Sequence, residues 1–229
     1  MQSKDRTFQV IAIIGLIIGV AALSVGFAAF TKSLTISSSA EVTLPDHILN
    51  VVFSNSSSTV SNGSGVTITG STNDSTVTPG TANIGSNAVT GIHAAFTGEG
   101  SATYTFYVHN QSAFTAYLNN IAFAAVANNT NSVSHIKCEA KSTNGATVGL
   151  ADACGDITVN VSVSNGTNTF NTYSSASGSS ISPQPSITTE AYDTVVVTIA
   201  YSAEHDVDGD FDVTIGDITL GYTSVNPSS

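Results

Sequence analysis

From residue 34 onward the apolar residues return at every second position, and helical spacing sustained over ten or more residues is hard to find. Side chains alternate across a strand but repeat every 3.6 residues around a helix, so this periodicity confines the chain to β structure. The run 102–109 (ATYTFYVH) shows it most clearly, with Tyr104, Phe106 and Val108 sharing one face. Similar runs fall at 34–42 (LTISSSAEV), 48–53, 89–96, 114–124, 133–140, 157–163 (ITVNVSV), 194–201 (TVVVTIAY) and 211–225, the last interrupted by Gly216 and Gly221. About nine strands predict an all-β fold, an antiparallel two-sheet sandwich of immunoglobulin-like or jelly-roll type. Segments 54–65, 71–86 and 171–185 are built of Ser, Asn, Thr, Gly and Pro and read as surface loops. Within 71–86 the only sizeable apolar residues are Val77 and Ile84. No period of about 20–50 residues repeats, which argues against a solenoid or propeller.

Ahead of this pattern stands a different kind of segment. Residues 7–31 carry no charge, and 10–30 (VIAIIGLIIGVAALSVGFAAF) form an apolar stretch of 21 residues, long enough to cross a bilayer as a helix. Lys4 and Arg6 precede it and only Lys32 follows closely, so the positive-inside rule keeps the N-terminus cytoplasmic and sends the remainder across. The small residues around Gly26-Phe27-Ala28 also suit a cleavable signal peptide, cut after Ala28 or Ala29. Signal and retained transmembrane anchor both stand. A pilin-type start does not fit, because Thr7 precedes Phe8 and no Glu follows. The expected organisation is a membrane-targeting helix at 1–32 and an extracytoplasmic β-sandwich domain at 33–229, either secreted or anchored in the membrane through 10–30.

Charge narrows the partners. The net charge is −11 with only five Lys and Arg, so no basic groove exists for nucleic acid and counterion release has nothing to work with. Charged residues make up only 9% of the chain, leaving hydroxyls and amides to keep it soluble, as in exported β proteins. Cys138 and Cys154 are the only cysteines, and in an oxidising compartment they predict one disulfide closing a loop of about 16 residues, worth about 3 kcal/mol. With His135 the only nearby histidine, they match no common zinc spacing. Seven Asn-x-Ser/Thr sequons occur, at Asn55, Asn62, Asn73, Asn110, Asn128, Asn160 and Asn165, as chance allows in a chain of this composition.

Motifs that carry chemistry are missing. His47, His93, His109, His135 and His205 form no HExxH, and there is no GxSxG elbow, phosphate-binding glycine loop or GxGxxG after a strand. No catalytic residue and no organic cofactor is assigned. The sharpest polar cluster is 204–212 (EHDVDGDFD), where Asp206, Asp208, Asp210 and Asp212 could converge on a hard cation, calcium being the candidate. Its spacing is wrong for an EF-hand, since Gly209 is fourth from Asp206 and Asp217 is twelfth. The plainer reading, preferred here, is a solvated hairpin turn between the strand ending at Tyr201 and the one starting near Phe211.

Several stretches in order along the chain carry a family resemblance: FAAFTKSLTISSSAEV at the junction of helix and first strand, SATYTFYVHNQSAFTAYLNNI, the cysteine pair in IKCEA and DACGDITVNVSV, then TVVVTIAYSA and VTIGDITLGY. With them the chain resembles camelysin/TasA-like exported proteins. That resemblance implies a β-sandwich surface protein or fibre subunit. Camelysin-like proteins have also been classed as metallopeptidases, but no zinc motif here receives that activity. Three functions follow as expectations. The leading one is a non-enzymatic cell-surface or matrix structural protein that self-assembles by donating strand 34–42 to a neighbour. The second is a membrane-tethered module that binds a cell-surface partner or ligand through loops at one end of the sandwich. A metal-dependent hydrolase working through 206–212 ranks last.

Overall fold

The computed structural model describes residues 49–129, 133–141, 149–176, 178–179, 181, 185–202 and 209–226. The chain divides into Met1–Ser39 and Ala40–Ser229, and every described residue lies in the second unit. The expected membrane-targeting helix and the expected strand 34–42 therefore lie outside the described residues. Among the described residues no helix is long and apolar enough to cross a membrane.

Strands dominate, in the order β1 (Val51–Ser54), β2 (Thr67–Thr69), β3 (Val77–Pro79), β4 (Thr81–Ile84), β5 (Val89–Thr90), β6 (His93–Phe96), β7 (Gly100–Asn110), β8 (Ala116–Phe123) and β9 (Ile136–Ala140). A short helix α1 (Leu150–Gly155) comes next, then β10 (Ile157–Ser164), β11 (Thr169–Ser174), β12 (Gly178–Ser179), β13 (Ser186–Ile187), β14 (Tyr192–Tyr201), β15 (Phe211–Ile215) and β16 (Ile218–Thr223). They form three antiparallel sheets. The first runs β1-β7-β14-β10-β11-β12, the second β13-β8-β16-β5-β4-β2 and the third β3-β6-β15-β9.

Alternation builds the first sheet. On β14, Val195, Val197 and Ile199 lie beside Phe106, Tyr104 and Ala102 of β7 on one flank and beside Val163, Val161 and Val159 of β10 on the other. All nine are buried, and each large side chain so placed contributes about 1.5–3 kcal/mol through removal from water. The intervening positions face outward and are mostly polar, Val196 and Ala200 of β14 being the apolar exceptions. From the other sheets, Phe96, Phe211, Ile84, Leu118 and Ile218 complete the same core. Tyr201 at the end of β14 meets Phe211 edge-on at 5.1 Å, and Phe211 stacks on Phe96 at 5.7 Å.

The second and third sheets share their strands end to end. Only Gly80 separates β3 from β4, Gly91-Ile92 separate β5 from β6, and Gly216-Asp217 separate β15 from β16. Backbone bonds cross this line of breaks: Gly80 N–H donates to the His93 carbonyl at 2.9 Å, Ile215 N–H to Ile92 at 2.9 Å, and Gly216 N–H to His135 at 2.9 Å. Hydrogen bonding thus divides into three sheets where the sequence predicts two, because three neighbouring strands are interrupted side by side, each break holding a glycine. Tyr104 ties the first sheet to this line of breaks. Its hydroxyl accepts from Gly80 N–H at 2.9 Å and donates to the His93 carbonyl. Tyr104→Phe keeps the ring but removes this link, and thermal unfolding should show a loss of about 1–2 kcal/mol. An unchanged midpoint would mean that the hydroxyl does not hold the sheets together.

Two expected loops are corrected. Segment 71–86 contains β3 and β4, and Val77 and Ile84 are buried in the core rather than carried on a surface loop. These strands have three and four residues, too few for alternation to show above a Ser/Thr background. Pro79, which cannot donate to a ladder, is tolerated because β3 is an edge strand. Segment 171–185 begins inside β11, whose Thr172 is buried and donates to the Val161 carbonyl at 3.1 Å.

Candidate functional site

The first sheet has an incompletely covered edge. β1 pairs with only the last four positions of β7, Val51 through Ser54 opposite Asn110 through Tyr107. Farther along the same side Ser71 bridges Thr103, with bonds of 2.8 Å in both directions. Thr105 lies between them, and among the described residues no strand pairs with it on that side. Unpaired backbone groups on a strand edge are a template for another strand. β1 itself is held firmly: Gln111 N–H donates to the Asn50 carbonyl at 2.8 Å, Asn50 N–H to the Ser112 hydroxyl at 2.7 Å, and Phe53 N–H to Ser86 at 3.0 Å.

Next to this edge the outward side chains of the sheet are mostly hydroxyls and amides, with the Asp74 carboxylate accepting from Ser101 N–H at 2.8 Å. β7 presents Ser101, Thr103 and Thr105, β14 presents Thr194 and Thr198, and β10 presents Thr158, Asn160, Ser162 and Ser164. At one end Tyr192, 42% exposed, packs edge-on against Tyr107 at 5.6 Å and beside His109 at 5.5 Å. The His109 ring is fixed by Nε2 lying 2.7 Å from the Ser56 carbonyl.

Of the residues picked out by sequence, Cys138 and Cys154 form the expected disulfide, with their Cα atoms 5.8 Å apart. It fastens α1 to β9, and α1 buries Ala153 and Cys154. The acidic cluster is only partly placed, since Asp206 and Asp208 lie outside the described residues. Asp210 accepts Lys141 N–H on its carbonyl at 3.0 Å, and Asp212 sits on β15 opposite Glu139 of β9, which pairs with Lys137 at 2.8 Å. Among the described residues no group of three or more His, Cys, Asp or Glu could hold a metal ion. The expected hairpin is corrected: β14 pairs with β7 and β10, whereas β15 pairs with β6 and β9, so the connection crosses between sheets. The physical reason is that both edges of β14 are already taken, Tyr201 lying opposite Gly100 of β7 and Ile157 of β10, so β15 has no edge of β14 to pair with.

Other functional candidates escaped the sequence reading. Tyr173 and His135 share a hydrogen bond of 2.8 Å between the hydroxyl and Nε2, and Phe123 stacks on His135 at 4.9 Å and meets the Tyr173 ring at a tilt at 4.6 Å. Burial lowers the His135 pKa and raises that of Tyr173. Asn110, one of the seven sequons, is buried; its amide donates to the Phe114 and Ile187 carbonyls at 2.8 and 2.9 Å while its oxygen accepts Ser112 N–H at 2.9 Å. In the folded chain this side chain is unavailable to a glycan. Asp193 and Tyr222 approach from different sheets. Extending the alternation of β14 by two residues from Val195 would have put Asp193 on the inward face, but Tyr222 depends on a register shift beside Gly221 that no periodicity announces.

The class these observations define is a β-rich protein of antiparallel sheets with one disulfide and, among the described residues, no strand pairing Thr105 on the edge side of β7, beside a hydroxyl-rich face. Comparison with protein-family models, with curated proteins and with solved structures finds no match to this chain.

Proposed function

We propose that the protein is a non-enzymatic cell-surface or extracellular-matrix structural subunit that assembles by strand donation. In this reading the fold is a two-layer sandwich, with the second and third sheets forming one bent layer opposite the first. The observation that carries the assembly is that, among the described residues, no strand pairs Thr105 between the end of β1 and the Ser71–Thr103 bridge. A donated strand needs only main-chain partners and alternate side chains that fit the acceptor, and 34–42 alternates in the required way. The resemblance to camelysin/TasA-like surface proteins points the same way, as does an apolar segment at 10–30 whose removal would place 34–42 near a new N-terminus.

Sedimentation of the protein recovered from its native surface, with N-terminal sequencing of the subunits, tests this. Large assemblies of chains starting near residue 29 are expected, and deletion of 34–42 should abolish them while leaving a folded monomer. Assemblies that persist after the deletion would exclude strand donation.

A second reading is favoured by the exposed Tyr192 beside Tyr107 and His109. A hydroxyl-rich face with an aromatic end suits a neutral, polyhydroxylated ligand, and a tethered monomer using it would be an adhesion module. Intact chains held singly in a membrane would favour that reading over the first.

A further inference from the structure

Asp193 and Tyr222 form a pair that apolar packing does not account for. Asp193 occupies the first inward position of β14, in line with Val195, Val197 and Ile199, and is fully buried. Among the described residues neither of its carboxyl oxygens has a hydrogen-bond partner, and the buried hydroxyl of Tyr222 has none. Tyr222 is aimed here by the register of β16 on β8. Gly221 lies opposite Asn120 but Tyr222 lies opposite Leu118, so Asn119 is an extra residue and Tyr222 shares the inward face of Leu118. Such bulges redirect side chains.

Among the described residues the surroundings supply no counter-charge. On β7, Val108 lies beside Asp193 while His109 turns to the opposite face with Tyr192. β13 adds Ser186 and Ile187, and β8 adds Ala116 and Leu118 on its buried face. The nearby Asn110 amide is spent on carbonyls, and Glu190 is exposed in the turn before β14. Tyr222 is the ionisable group that faces Asp193 from these elements. A buried carboxylate without a partner is costly, and such a group keeps its proton instead.

We infer that Asp193 folds as the neutral acid and is a pH-sensitive lock between β14 and β16, secure while protonated beside Tyr222 and loosened when it ionises. Burial raises its pKa from 3.8 to about 7, and burial together with the Asp193 charge holds the Tyr222 hydroxyl well above its ordinary range. Since the folded value lies above the unfolded one, the stabilisation is complete below about pH 4 and is lost as the pH rises through about 7. His135 acts in the opposite sense: its lowered pKa means that stability is lost as the pH falls below the ordinary histidine value. Repulsion within a chain of net charge −11 acts alike on wild type and variant.

Denaturant unfolding of the full chain from pH 4 to 8 tests the lock on wild type, Asp193→Asn and Tyr222→Phe. Asp193 should raise the wild-type unfolding constant by about a thousandfold across this range. Asp193→Asn should lack that rise and be the more stable protein at pH 8, whereas Tyr222→Phe should retain the rise. Infrared spectroscopy supplies a reading that needs no variant: a protonated-carboxyl band in the wild type that persists at pH 6 and fades near 7. The inference is overturned if Asp193→Asn keeps the wild-type slope or if no such band survives at pH 6.

Discussion

Gly216→Ala should be the most damaging small substitution in this domain, lowering stability by about 3–5 kcal/mol and the thermal midpoint by about 10 °C. A methyl carbon added at Gly216 would stand 1.8 Å from the Ala124 carbonyl oxygen and 2.9 Å from its carbon. Both atoms belong to backbone that is already committed, because Ala124 N–H donates to the Asp217 carbonyl at 2.9 Å and Gly216 N–H to His135 at 2.9 Å. Relief would require breaking these bonds at the bend between β15 and β16. Gly80, on the same line of breaks, provides the comparison. There the added carbon would meet the His93 ring at 2.1 Å, but His93 is exposed and its side chain can rotate away. Gly80→Ala should therefore cost clearly less than Gly216→Ala. Parallel thermal melts decide the point, and equal losses would mean that the bend, rather than the contact with backbone, sets the cost.

Reduction of the disulfide should lower stability by about 3 kcal/mol, or about 6–12 °C in midpoint. Cys138 and Cys154 are 16 residues apart, and the loop they close loses entropy in the unfolded chain. Native packing adds a local effect. α1 has six residues, below the length at which a helix persists unaided, and it is fastened by this bond to β9, an edge strand of the third sheet. Melts with and without reductant, and of the double variant Cys138→Ala/Cys154→Ala, should agree. Hydrogen exchange should rise first in α1 and β9, leaving β7, β10 and β14 protected. A reduced protein that melts at the oxidised midpoint would show that packing alone holds α1.

The long strands were legible in the sequence, and the reason is their neighbours. β14 pairs with β7 on one side and β10 on the other, and the three cover one side of the core, so every second residue must be apolar over eight to eleven positions. That constraint writes a period of two. The disulfide was legible as well, since two cysteines leave a single pairing within the chain. Strands such as β3 and β4 were not, because three or four residues give alternation too few repeats to stand out.

Which strands become neighbours is a different kind of information. The connection from Tyr201 to Phe211 resembled a hairpin because Asp and Gly favour turns, yet whether a turn joins paired strands or passes between sheets depends on which strand edges are already taken. The bend through Gly80 and Gly216, the edge at Thr105 and the meeting of Asp193 with Tyr222 all join residues distant in the chain. Local sequence thus determined that this domain is β and which faces of its long strands are apolar, because side-chain alternation is a property of each strand alone. Only the tertiary structure decided where the sheets bend, which edge position no described strand covers and which carboxyl lies in the core, because those depend on the register between strands.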